Sequence, residues 1–272
     1  MYRFVLTRQW VFLTLFALAL IPGMIRLGFW QFHRHEHRVA QNELIAGSLA
    51  AKPVPVTDLA APGREVPRAD YWRTVTATGR YDGAHEVVVR MRTSADDKVG
   101  FHVVTPLVLP DGRAVLVNRG WVASGGDVRA YPPVPAAPRG EVTVTGRLKA
   151  DETSAGSGIK DRKGLPDRQV MLINSEQQAA ALKRPVLGGY LELTAPVPAG
   201  DSPEPVPEPD HDSIGPHMAY AVQWWLFAAA VPVGWVVLVR REKRDRDEAA
   251  ARAAATAAAL AADGPEPEPA TA

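Results

Sequence analysis

The sequence predicts an α+β membrane protein in which two transmembrane helices flank a strand-rich antiparallel β domain. Three observations point there. The long apolar runs lie near the two ends of the 272-residue chain. Between them, stretches rich in β-branched and aromatic residues alternate with period two. A basic cluster directly follows the second apolar run.

Residues 10–30 read WVFLTLFALALIPGMIRLGFW, with one charge at Arg26. At ~1.5 Å per residue the run spans roughly 31 Å, the depth of a hydrocarbon core. Trp10 and Trp30 stand at its ends, where indoles favour the headgroup level. Arg26 lies within snorkelling reach of the far end, and Pro22-Gly23 is tolerated as a kink. The competing reading is a cleaved signal peptide, with Arg3 and Arg8 as its basic region and Ala17-Leu18-Ala19 as its cleavage site. That tripeptide lies inside the apolar run rather than after it, so a retained anchor is expected.

The second run, residues 217–239, carries no charge after His217 and ends at Arg240-Arg241-Glu242-Lys243-Arg244-Asp245-Arg246. Residues 201–212, before it, are acidic and Pro-rich. The positive-inside rule then places the C-terminus in the cytoplasm, and two spans place the N-terminus there too. Arg26, Arg34 and Arg38 on the outer flank run against this, and the C-terminal cluster is the stronger signal. The expected organisation is a cytoplasmic N-terminus (1–9), a first span (10–30), an extracytoplasmic β-rich domain (31–195), a Pro-rich acidic tether (196–216), a second span (217–239) and a cytoplasmic tail (240–272).

Within the domain, strands are expected at 71–81, 86–91, 101–109, 114–122, 142–148 and 187–193. Pro110-Asp111-Gly112-Arg113 joins two of them as a hairpin. One capped helix is expected at 174–182, and 31–49 continues the first span as helix. The sheet is expected to be small, antiparallel and curled toward a half-barrel. Residues 150–166 read as a mobile loop, and 196–209 as a semi-extended tether. The Ala-rich stretch after Asp247 can form a transient helix, with a disordered end at 264–269.

The chain has no cysteine, which excludes disulfides, thiolate metal sites, Cys-x-x-Cys-His haem attachment and cysteine nucleophiles. A net charge of +1 gives no case for nucleic-acid binding. Nucleotide-binding glycine patterns, phosphate loops and helical zinc-protease motifs are absent. Asp96-Asp97 and Asp151-Glu152 read as solvated turn residues rather than a glycosidase pair. His33 and His37 share a helix face, a spacing that could suit a metal but reads first as a polar juxtamembrane helix that happens to be His-rich. His217, Ala221, Trp224, Ala228 and Trp235 fall on one stripe, which suits packing against another helix or against a planar apolar ligand such as a porphyrin.

Four motifs in order resemble the Surfeit-locus family of cytochrome c oxidase assembly proteins. They are Leu27-Gly28-Phe29-Trp30-Gln31 with Arg34; Tyr71-Trp72-Arg73-Thr74-Val75 with Gly79 and Tyr81; the block from Gly100 to Leu107 with Val115-Leu116-Val117-Asn118-Arg119-Gly120-Trp121-Val122; and His217-Met218-Ala219-Tyr220-Ala221-Val222-Gln223-Trp224-Trp225. Singly, only Asn-Arg-Gly-Trp is specific. The resemblance implies a non-enzymatic assembly factor for haem-copper oxidase; heavy Arg use with abundant Ala and Pro points to a bacterial chain, and the two spans to its cell membrane. It also implies haem a as a transient cofactor with His217 as its axial or near-axial metal ligand. Trp224 would be a stacking wall, Arg34 a propionate partner, and Tyr220, Trp30 and Gln31 further cofactor contacts. The implied partners are the haem-bearing oxidase subunit, the haem a synthesis machinery and membrane lipid. A haem-independent chaperone of an immature oxidase subunit is the alternative. Structural readings stay open beside these: Gly28 as a close helix approach, Trp30 as a belt residue, Asn118-Arg119-Gly120 as a bulge with Arg119 paired to a carboxylate, and Trp121 as core.

Overall fold

The computed structural model describes residues 2–127, 129–196 and 201–262; the expected disordered end at 264–269 lies outside the described residues. The helices are α1 (Arg8–Ala50), α2 (Val56–Leu59), α3 (Ser154–Ser157), α4 (Ser175–Leu182) and α5 (His217–Ala262). The strands are β1 (Val54–Pro55), β2 (Thr74–Tyr81), β3 (Val87–Thr93), β4 (Val99–Val108), β5 (Ala114–Ala123), β6 (Glu141–Lys149), β7 (Gln169–Val170) and β8 (Val186–Ala195). Two compact units result, one of Met1–Val39 with Ile214–Ala272 and one of Ala40–Ser213.

In the second unit the strands run in the order β1-β2-β6-β8-β5-β4-β3-β7. The end of β2 returns to β4 through Arg80↔Val108 and Tyr81↔Leu107, which closes β2, β6, β8, β5 and β4 into a barrel. The sheet is mixed, not antiparallel as expected: β5–β8, β1–β2 and β3–β7 are parallel pairs. The topology requires the first of these. β8 inserts between β5 and β6, which run in opposite directions, so it must be parallel to one of them.

The expected hairpin is β4–β5, paired antiparallel along its length. Both faces of β5 are buried. Val115 and Val117 face the barrel interior with Val75, Leu148 and Leu191, while Ala114 and Leu116 face a second cluster with Ile173, Leu182 and Tyr190. Each such fully buried Val or Leu contributes about 1.5–3 kcal/mol over leaving it in water. α4 is capped as its sequence demands: Asn174 Oδ1 accepts from the Gln177 amide at 3.0 Å.

Two loop expectations need correction. Asp151 and Glu152 are not solvated. The Asp151 carboxylate accepts from the amide and hydroxyl of Ser175, both at 2.6 Å, at the start of α4. Glu152 accepts from Arg92 at 2.5 Å and from the Ile173 amide at 2.9 Å. The acidic, Pro-rich stretch, expected as a semi-extended tether, is docked on the domain. Trp121 and Glu204 exchange backbone hydrogen bonds of 2.7 and 2.8 Å, and Arg147 donates to the carbonyls of Val206 (2.8 Å) and Pro207 (3.1 Å). A proline-rich segment cannot satisfy its own carbonyls, so the edge of the domain does it and the segment becomes a docked strap.

The first unit pairs α1 with α5. Both helices are long and apolar enough to cross a bilayer. Only 6% and 11% of their most apolar stretches are buried within the chain, which separates them from core helices of a soluble domain. α5 runs on past the basic cluster to Ala262, so the Ala-rich stretch is helix.

Candidate functional site

Buried or half-buried positions on α1 recur at 10, 14, 17, 21, 24, 28, 31 and 35, three and four apart in alternation. On α5 they recur at 217, 221, 224, 228, 231 and 235. This spacing of 3.5 is the pattern of two helices packed along a seam. The stripe of His217, Ala221, Trp224, Ala228 and Trp235 therefore serves packing against another helix. Ala221 is fully buried and Ala228 nearly so, and Trp235 Nε1 donates to Thr14 Oγ1 at 3.0 Å.

Gly28 sets the closest approach. A Cβ there would run into the indole of Trp225, whose ring lies edge-on to Phe29 at 5.5 Å and tilted on Phe32 at 6.1 Å. It is Trp225, not Trp224, that fills the notch. Trp224 is half-buried and packs edge-on against Phe227 of its own helix at 6.2 Å. Neighbouring positions on a helix point about 100° apart, so a pair of adjacent tryptophans cannot be assigned from sequence unless the partner's glycine is also placed.

One turn beyond Gly28, Gln31 meets His217. Gln31 Oε1 and His217 Nδ1 are 3.0 Å apart. With the Gln31 amide oxygen as acceptor, the Nδ1–H tautomer would donate this bond and leave Nε2 its lone pair. The seam thus orients a half-buried imidazole at the first position of α5. Trp30 and Arg34 form a second pair: Trp30 is 54% exposed, and the Arg34 guanidinium lies over its ring at 5.6 Å. Tyr220 is 47% exposed. Of the six predicted residues, the structure brings Gln31 to His217 and Arg34 to Trp30. Among the described residues no group of three or more His, Cys, Asp or Glu could hold a metal ion, so His33, His35 and His37 do not converge on one.

The Asn-Arg-Gly-Trp block has a different task. Val103 pairs with Gly120 and Val104 with Asn118, so Arg119 is the extra residue of a β-bulge. Asn118 Oδ1 accepts from the Gly120 amide at 3.1 Å and holds the bulge. The bulge aims Arg119 inward, where it donates to Glu86 at 3.0 Å and to the carbonyls of Pro135 and Ala136 at 3.0 and 3.2 Å. Glu86 also accepts from Thr105 at 2.7 Å and from Tyr131 at 3.1 Å. Gly120 has φ +128°, and a Cβ there would strike the Glu204 carbonyl of the strap. Trp121 Nε1 donates to the Arg92 carbonyl at 3.1 Å, a structural role. Burial, reinforced by Arg92, pushes His102 down to about 4, so its ring is neutral and pairs with Asn118. Burial raises Tyr81 to about 12, and lowers Lys149, which sits over Trp72 at 3.2 Å. These groups build the domain.

The model of the SURF1 family matches residues 18–229. The chain is 35% identical over 236 residues to SURF1-like proteins of Mycobacterium tuberculosis (strains H37Rv and CDC 1551) and of Mycobacterium bovis, all three named as uncharacterised. The match covers 85% of this chain and 83% of each relative.

Proposed function

The chain belongs to the SURF1 family of oxidase assembly factors, and on that premise we propose that it carries haem a as cargo for a haem-copper cytochrome c oxidase, performing no covalent chemistry. Its two helices would span the bacterial cell membrane with both termini cytoplasmic and the barrel outside. The observation that carries the haem assignment is the hydrogen bond between Gln31 and His217. Imidazole binds haem iron through an unprotonated nitrogen, and a hydrogen bond at the other nitrogen fixes orientation and raises basicity. Gln31 supplies that bond, so its role is to orient His217 rather than to bind a propionate.

The rest of the donor set fits the same cargo. Haem a brings an iron centre, a broad apolar ring and two carboxylates. Arg34 is exposed at the Trp30 face and suits a carboxylate. Trp30 and Tyr220 keep about half their surface open for aromatic contact, and Trp224 is half-buried. The receiving partner would be the haem-bearing oxidase subunit, with the haem a synthesis machinery as donor.

One observation favours the haem-independent chaperone instead: Ala221 and Ala228 are spent on the seam and offer no wall to a macrocycle. A pyridine-haem assay on protein purified from its own membranes, run with a pull-down of the haem-bearing subunit, separates the two. The haem reading expects haem a with the wild type, its loss in His217→Ala, and a pull-down unchanged by the substitution. Subunit capture with no haem a in either protein would overturn it in favour of the chaperone.

A further inference from the structure

We propose that the end of the helix pair where the chain begins holds one anionic phospholipid, its acyl chain in an apolar cleft and its phosphate on unpaired arginines. The inference rests on reading α1 and α5 as membrane spans. The cleft has a volume of about 390 Å³ and is lined by Tyr2, Val5, Trp235, Val236, Val239 and Arg240. Every wall but Arg240 is mainly apolar. Trp235 is fixed by its bond to Thr14, and the Lys243 ammonium lies over the Tyr2 ring at 5.7 Å.

Charge pairing around this cleft is uneven. Arg241, Lys243, Arg244 and Arg246 each have a carboxylate on α5, at 3.8, 3.7, 3.9 and 2.7 Å. Arg3, Arg8 and Arg240 are exposed and have no such partner among the described residues. Arg240 lines the cleft itself, and Arg3 lies in the helical turn Arg3–Leu6 that contributes Val5 to it. An apolar slot with uncompensated guanidinium groups at its mouth fits a ligand with an anionic head and a hydrocarbon tail. A zwitterionic lipid brings its own cation to that mouth. A free phosphate leaves the apolar wall unfilled.

The test uses the full chain, reconstituted in bilayer nanodiscs of phosphatidylcholine and phosphatidylglycerol (4:1). The lipid retained after extraction into mild detergent is then counted by native mass spectrometry. The expected result is one phosphatidylglycerol per chain, no retained phosphatidylcholine, and no displacement by millimolar inorganic phosphate. Each cation near a membrane surface is worth about fivefold in affinity. Arg3→Gln with Arg240→Gln should therefore weaken retention about 25-fold. The paired cations serve as the control: Arg241→Gln with Arg244→Gln should weaken it less than about fivefold. Equal retention of the two lipids, displacement by phosphate, or indifference to the first pair of substitutions overturns the proposal. If the chain resists carbonate extraction from membranes, such a result removes the lipid site alone. If carbonate releases the chain, the membrane reading falls and takes the lipid with it.

Discussion

Gly28→Ala tests the helix seam with a single methyl group. The added Cβ would overlap three atoms of the Trp225 indole. That ring is held by Phe29 and Phe32, so it cannot simply swing aside. Overpacking of this kind costs about 1–3 kcal/mol, against a gain of roughly 0.8–1 kcal/mol from helix propensity, so a net loss of up to about 2 kcal/mol is expected. Gly23 supplies an internal control, because a Cβ there meets nothing within 4 Å. Gly23→Ala should be neutral or stabilising by up to ~1 kcal/mol. The assay is equilibrium unfolding of the full chain in mild detergent by titration with a harsher one, followed by circular dichroism. In a Trp225→Ala background, Gly28→Ala should lose its penalty, giving a coupling of at least ~1 kcal/mol. Equal effects at Gly23 and Gly28, or additivity with Trp225→Ala, would refute the close approach and with it the geometry that brings Gln31 to His217.

Three further predictions concern the barrel. Arg119→Leu leaves Glu86 buried without its main partner and should cost about 3–5 kcal/mol in chemical denaturation; Arg119→Lys should recover little, because one ammonium cannot serve Glu86 and both carbonyls. The native state keeps His102 neutral down to about 4 while the unfolded chain protonates near 6.5. The stability tied to His102 is therefore complete above 6.5 and lost as pH falls through that window, by roughly 3 kcal/mol, and His102→Gln should flatten this part of a pH–stability curve. Gly120→Ala puts a side chain at φ +128° and into the Glu204 carbonyl, so the strap should detach and limited proteolysis should cut within residues 201–213. An uncut strap would show that the bulge does not hold it.

Much of the barrel was legible because strands that bury one face more than the other, as β2 does, keep a period-two pattern. β2, β4, β5, β6 and β8 fall within a few residues of the stretches marked by period two, and Asn174 signalled α4 by its capping chemistry. The parallel pairing of β5 with β8 was not legible. It follows from one strand inserting between two others, a long-range choice that no local pattern encodes. The two-residue strands β1 and β7 are too short to show a period.

At the site, composition identified the stripe on α5 but not its occupant. The answer lay in α1, where Thr14, Gly28 and Gln31 stand at the matching spacing. The docked strap escaped notice because an acidic, proline-rich stretch reads as a linker. Its partners, Trp121 and Arg147, lie about 60 or more residues away in sequence. Arg119 was legible as a cation in a bulge, and the structure supplied its carboxylate, Glu86.

The proposed function turns on whether His217, held at the seam by Gln31, binds haem iron through Nε2. Titration of haem a into the haem-free chain in one detergent, followed by its visible spectrum, addresses this most directly. The wild type should saturate at one equivalent, Gln31→Leu should bind more weakly, and His217→Ala should show no ligand-dependent spectral shift. The same spectrum and affinity from the wild type and His217→Ala would contradict the proposed function.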